Sequence, residues 1–405
     1  MRIVFYVLIA GASALVTFGL AFAILKLSHR YRLYPKIRER DMHSRPTPRL
    51  GGVAMFIGFV AAIGIASQIP TFSLVFSDPR KVIGLLIAAL IIVLIGVADD
   101  IWDLDWVTKL AGQIIAGWVL AASGIQIFTL PILGGVTILP DSVSLVVTVL
   151  TVVLVMNAIN FIDGLDGLVA GVALISNLVF FVYAYFLAAY AGNTEYFNLA
   201  SLITAVLIGA CAGFLPLNFH PAKLFMGDAG ALLVGLLMAA SAIAVTGQVD
   251  PETWTYGGLL LPAFLPILLP FAVLVVPLLD FALAIVRRLL AGKSPFAADR
   301  KHLHHRLIDM GHSHLQAVLI FYGWTAAFSL GCLAFIFMPW QTASLVILVA
   351  LIACTAVTLL PLRGRARLLS DAALGGPDEV KAILEQQVHD ALDAIPPTPS
   401  GAAKP

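Results

Sequence analysis

Two adjacent carboxylates, Asp99 and Asp100, close an otherwise apolar run in this 405-residue chain. Like charges side by side repel unless a cation or a proton intervenes. Magnesium would satisfy them, because it takes a few carboxylates and completes its shell with phosphate oxygens. A second cluster, NAINFIDGLDGL, sets Asn157, Asn160, Asp163 and Asp166 within ten residues. Helical i, i+3 spacing puts Asn157 and Asn160 on one face, and Gly164 and Gly167 allow a tight turn that presents Asp163 and Asp166. In a third, Gly227-Asp228-Ala229-Gly230 opens an apolar run. Asp228 then sits at a helix N-terminus, a position that favours anions or phosphate and that a plain capping Asp also takes. Asn218 and Phe225 precede it, an amide and a ring suited to bonding and stacking a nucleobase. The fourth, KSPFAADRKHLHHRL, concentrates His302, His304 and His305 with Arg300, Lys301 and Arg306. No cysteine or carboxylate in that short run completes a zinc site, so phosphate binding fits it better. In the fifth, HSRPTPRLGG (43–52), two prolines stiffen the chain and Gly51-Gly52 admit a close backbone neighbour.

These groups must be held by helices in lipid. Hydrophobic residues make up 60% of the chain and charged residues only 12%, against about 25% in a soluble domain. Mean hydropathy is +0.99. Disorder and an ordinary soluble enzyme are excluded, and a net charge of +1 offers no basic field for nucleic acid. Cys211, Cys332 and Cys354 have no paired spacing and read as neither disulfides nor metal ligands.

A spanning helix needs about 20 mostly apolar residues. Runs near 3–25, 51–70, 82–98, 106–123, 143–162, 167–190, 199–217, 229–247, 258–288, 316–338 and 341–360 predict about eleven spans in an all-α polytopic membrane protein. The first run could pass for a signal peptide at Ala21-Phe22-Ala23, but Ile3 to Leu25 is a full span and reads as the first helix. The ninth contains Pro262, Pro266, Pro270 and Pro277 and is expected to be kinked or broken. Gly134-Gly135 suggests a small hairpin over 125–140, outside the membrane. Residues 1–362 form the transmembrane domain. Residues 363–405 form a cytoplasmic tail with an amphipathic helix at 378–393 and a disordered end. With the N-terminus outside and the C-terminus cytoplasmic, only Arg2, Arg80 and Lys81 of the Lys and Arg residues fall on the outer side. All five polar clusters then share the cytoplasmic face, where they could bring a soluble phosphorylated substrate to a lipid-borne one.

PTPRLGG, DDIWDL, NAINFIDGLDGL, FMGDAG and PFAADRKHLHHRL together resemble the polyprenyl-phosphate N-acetylhexosamine-1-phosphate transferases, in matching order over residues 40–310. The resemblance implies a multi-pass protein of the bacterial inner membrane whose active site faces the cytoplasm. It implies transfer of a sugar 1-phosphate from a UDP-N-acetylhexosamine to a polyprenyl phosphate, with release of UMP. It implies Mg²⁺, with Mn²⁺ as a substitute, and a homodimer. The catalytic set it implies is Asp99, Asp100, Asp163, Asp166, Asp228 and His304, with Asp228, Asp99 and Asp100 on the metal. Asn157, Asn160, Asn218, Phe225, Lys109, Arg300, His302 and His305 would bind substrates. His302-Leu303-His304-His305, in place of three consecutive histidines, looks like the UDP-GlcNAc branch rather than the branch using UDP-MurNAc-pentapeptide. Ala231 stands where the family often has Ser. An ion-coupled transporter is the alternative from another class, because intramembrane carboxylates and a proline-rich helix occur there too.

Overall fold

A computed structural model of the chain describes residues 2–31, 47–132, 135–190, 195–246, 260–290, 292 and 303–374. It divides into one unit over Met1–Cys354 and a second over Thr355–Pro405. In the second unit the described residues are the closing turns of the last helix.

The described elements follow the hydropathy pattern. They are α1 (Arg2–Tyr31), α2 (Gly51–Ala66), α3 (Pro79–Trp102), α4 (Trp106–Ala122), α5 (Asp141–Ile162), α6 (Leu168–Tyr190), α7 (Glu195–Asn218), α8 (Gly227–Thr246), α9 (Leu260–Leu290), α10 (Leu303–Asp309), α11 (His314–Phe337) and α12 (Trp340–Leu374). Among the described residues, eight helices are long and apolar enough to cross a membrane. The α2 and α4 helices, at 16 and 17 residues, fall short of the spans their hydropathy suggests. At about 1.5 Å per residue neither alone covers a hydrocarbon core of about 30 Å. The α2 helix stops early because Ser67 and Gln68 turn the chain into a 3-10 turn at Pro70–Phe72. The ninth run forms one helix, α9, without the break its four prolines suggest. The expected hairpin is present, with β1 (Thr129–Ile132) antiparallel to β2 (Gly135–Ile138) and Thr129 opposite Ile138. The expected helix at 378–393 lies outside the described residues.

The α8 helix is the hub, buried along nearly its whole length against α2, α3, α5 and α7. In a lipid environment helices associate through close van der Waals packing and hydrogen bonds, and small residues set the approach here. A Cβ on Gly52 would lie 2.2 Å from the Gly230 backbone nitrogen, and one on Gly96 would lie 2.3 Å from Ala229 Cα. The first turn of α8 is thus wedged between the backbones of α2 and α3. Gly52→Ala overfills this contact, at about 1–3 kcal/mol. A lowered Tm of the purified protein, with at least a tenfold loss of activity, is the expected result.

The two ends of the bundle differ. At the start of α3, Asp78 caps the helix, and Lys81 pairs with Glu195 at 3.0 Å and lies 4.1 Å from the Tyr196 ring centroid. This ties α3 to the start of α7. The other end gathers the ends of α3, α5 and α7 with the starts of α2, α4, α6 and α8, and it holds the candidate site.

Candidate active site at one end of the bundle

Asp99 and Asp100 ride on the last turn of α3. That helix stops because Asp103 adopts a left-handed conformation, φ 54°, and the chain reverses at once. Asp105 caps α4, accepting from the Val107 and Thr108 N–H groups at 2.9 and 3.1 Å and from the Thr108 hydroxyl. These donors hold its carboxyl below the usual carboxylate range, led by the Thr108 side chain. Asp105 is therefore a structural cap. The reversal brings Lys109 back over the end of α3, where its ammonium bridges Asp99 and Asp228, the latter at 2.9 Å.

Asp228 is placed by a second device. Segment 48–52 runs against 225–226 in a short backbone ladder. Phe225 N–H donates to Pro48 O at 2.8 Å, Gly51 N–H to Phe225 O at 3.0 Å, and Gly52 N–H to Met226 O at 2.9 Å. The close backbone neighbour expected for Gly51-Gly52 is thus the FMGDAG segment. Gly227 then turns the chain at φ 68°, with no room for a side chain: a Cβ would meet Asp100 Oδ2 at 2.2 Å and Arg49 O at 2.4 Å. Asp228 N–H donates to Asp100 Oδ1 at 3.3 Å. Asp100 therefore holds the start of α8 while its Oδ2, buried, has no hydrogen-bond partner among the described residues.

From α5, Asn160 faces the Asp228 carboxylate. Asn157, one turn further in, pairs with Gln113 of α4 at 2.6 Å and donates to Val153 O. It joins two helices. Asp163 closes α5 and stays open to water while ringed by protein. Crowding by its neighbours, then the negative charge of Asp228, push its carboxyl up to about 7, and Arg49 opposes them.

Asp166 is turned inward, not presented outward by the glycine turn. Asn218 is likewise buried, accepting from Gly167 N–H at 3.1 Å and donating to Leu224 O at 3.0 Å. Phe225 is half-buried beside Asp228. Arg300 and His302 lie outside the described residues. His304 and His305 lie on α10, with their side chains outside what is described.

Sequence reasoning passed over Arg49, Gln113, His220 and Asp280. Asp280 is fully buried in α9, and its Oδ1 accepts from Leu303 N–H at 2.7 Å, which fastens the start of the histidine-bearing α10. A lone Asp in an apolar run was the available signal for it. Arg49 stands in PTPRLGG with no spacing that sets it apart from the other basic residues before α2.

Among the described residues, no three His, Cys, Asp or Glu side chains are grouped as a ready-made metal cage. The donor set nevertheless fits magnesium, which binds through one or two carboxylates plus substrate phosphates rather than an all-protein cage. Asp228 and the unpaired Asp100 Oδ2 supply such oxygens.

Carboxylates and a lysine gathered at one end of an apolar helical bundle define a multi-pass membrane enzyme that handles charged substrates. The model of glycosyl transferase family 4 matches residues 82–246, and the chain belongs to this family. A decaprenyl-phosphate N-acetylglucosaminephosphotransferase of Mycolicibacterium smegmatis is 42% identical over 363 residues, covering 88% of this chain and 89% of the relative. A Bacillus subtilis protein named "Probable undecaprenyl-phosphate N-acetylglucosaminyl 1-phosphate transferase" is 32% identical, over 70% and 72% of the two chains. A phospho-N-acetylmuramoyl-pentapeptide-transferase of Desulforudis audaxviator is 28% identical, over 80% and 95%.

Proposed function

We propose that the protein transfers N-acetylglucosamine 1-phosphate from UDP-GlcNAc to undecaprenyl or decaprenyl phosphate. UMP leaves, and polyprenyl-diphosphate-GlcNAc forms as the first membrane-bound intermediate of a cell-envelope polysaccharide. The observation that carries this reading is the convergence of Asp99, Asp100, Asp228 and Lys109, with Asp163 beside them, in a family 4 chain. The 42% identity to the decaprenyl-phosphate N-acetylglucosamine enzyme, against 28% to the pentapeptide transferase, supports the donor. A transporter would place its polar groups near the midplane, whereas these lie at helix ends.

In the reaction an oxygen of the lipid phosphate attacks the phosphorus that bears the sugar. The bond from that phosphorus to the UMP oxygen breaks, and its electron pair leaves with UMP. Two anions must meet, so repulsion is the main obstacle. Asp228, with Asp100 and Asp99, would hold Mg²⁺ or Mn²⁺, which supplies charge neutralisation for the diphosphate and the leaving UMP. Lys109 is a fixed cation at the same place. The lipid phosphate has a second pKa of about 6 by analogy with phosphorylated side chains. It arrives largely ionised, and direct in-line displacement needs no strong base. Asn218 and Phe225 shape the nucleobase side, with Asp163 and Asp166 forming the wall between nucleotide and metal. By the family resemblance, Arg300, His302, His304 and His305 are assigned to binding the sugar and diphosphate.

The fold carrying this site has eleven spans, counting α2 and α4 and an α9 bent at its prolines. The N-terminus lies outside, and residues 1–362 form the catalytic domain. The tail from 363 and the active site face the cytoplasm of the inner membrane, and the assembly is a homodimer. Purified protein with Mg²⁺ and polyprenyl phosphate is expected to release UMP from UDP-GlcNAc. Release only from UDP-MurNAc-pentapeptide would reverse the donor assignment. Substrate flux in liposomes without UMP would favour transport.

A further inference from the structure

The loop that follows α5 is clamped from two sides. Asp166 Oδ2 accepts from His220 Nδ1 at 2.8 Å and from Ala222 N–H at 3.0 Å. A carboxylate only accepts, so Nδ1 carries the proton in this contact. The His220 ring stacks on His314, with centroids 5.8 Å apart and planes 7° from parallel, within the range of offset aromatic pairs. His314 opens α11, whose start is fixed by a capping box between Ser313 and Gln316. Two turns along the same helix, the Tyr322 hydroxyl donates to Gly167 O. The loop carrying Asp163 is thereby joined both to the α7–α8 connection and to the α10–α11 pair.

His220 belongs to none of the groups assigned to the reaction above. It is half-exposed, yet one ring edge is committed to Asp166 and one face to His314. Asp166, although implied by resemblance to be catalytic, has its Oδ2 committed inward.

We propose that His220 is a positioning residue for the nucleotide donor. Its N–H holds Asp166, and so the 163–167 loop, at the geometry that admits the nucleotide, while its ring registers that loop against the α10–α11 pair. The proposal rests on the UDP-GlcNAc reading above. Because the charge of Asp163 on this loop interacts with that of Asp228, a shift of the loop would alter the donor pocket and leave the start of α8, held by Asp100, in place.

The test separates the N–H from the ring. His220→Phe keeps an aromatic face for His314 and removes the donor; His220→Asn keeps an N–H near the Nδ1 position. In the full-length protein, His220→Phe is expected to raise KM for UDP-GlcNAc and Kd for UMP about tenfold. Its KM for polyprenyl phosphate should stay at the wild-type value. His220→Asn should stay within about twofold of wild type for donor KM. Equal impairment of both variants, a donor KM unchanged in His220→Phe, or a loss confined to kcat or Tm would overturn the positioning role. Failure of the wild-type protein to bind UMP or UDP-GlcNAc would instead sink the donor reading itself.

Discussion

Asp228→Asn is expected to lower turnover by at least about 10³-fold, the scale of removing one aimed electrostatic group from a reaction centre. The change preserves shape and hydrogen-bonding capacity, so the start of α8 should survive it. Gly227 keeps its turn, the Asp228 N–H keeps Asp100 Oδ1, and the 48–52 ladder is untouched. What disappears is the negative charge that pairs with Lys109 and that the proposed divalent cation would share. The fall should therefore be in kcat and in the response to added Mg²⁺, with little change in Tm. Activity near wild type would remove Asp228 from the metal role.

Lys109→Met should be nearly as costly, by a different route. Lys109 lies between Asp99, 2% exposed on its side chain, and Asp228. Removing one partner from a buried ion pair leaves uncompensated charge at a cost of about 3 kcal/mol. Activity should fall about 10²-fold or more, and the protein should melt several degrees earlier. The double change Lys109→Met with Asp99→Asn separates the two effects. It removes a positive and a negative group together, so Tm should recover most of the loss. Activity should not return if Lys109 also stabilises the diphosphate. Recovery of both would make Lys109 a packing residue only.

Much of this could be read from the sequence, because lipid enforces a strict rule. Long apolar stretches must be helices, and the runs expected from hydropathy reappear as α1 to α9, α11 and α12. The exceptions are local. The α2 helix ends early at Ser67, and α9 stays continuous through its prolines. The chemical residues were legible as types. What spacing could not give was which way each side chain turns. Asp228 and Asp99 meet through Lys109 because a capped reversal at Asp103–Asp105 folds α4 back, a tertiary consequence with no periodic signature. Asn157 and Asn160 share the i, i+3 face, yet the first bonds Gln113 and the second bonds Asp228. Asp163 and Asp166 look alike in FIDGLDG, and one faces water while the other is held by His220. That distinction depends on a partner 54 residues away.

The most direct test follows the phosphorus. UDP-GlcNAc labelled at the phosphorus next to the sugar is incubated with the full-length protein, Mg²⁺ and polyprenyl phosphate, and then partitioned between solvent and water. Transfer of the sugar with its phosphate carries the label into the lipid fraction in equal amount to the UMP released. Label left in water as UDP while the sugar enters the lipid would mean transfer of the sugar alone and would contradict the proposed reaction.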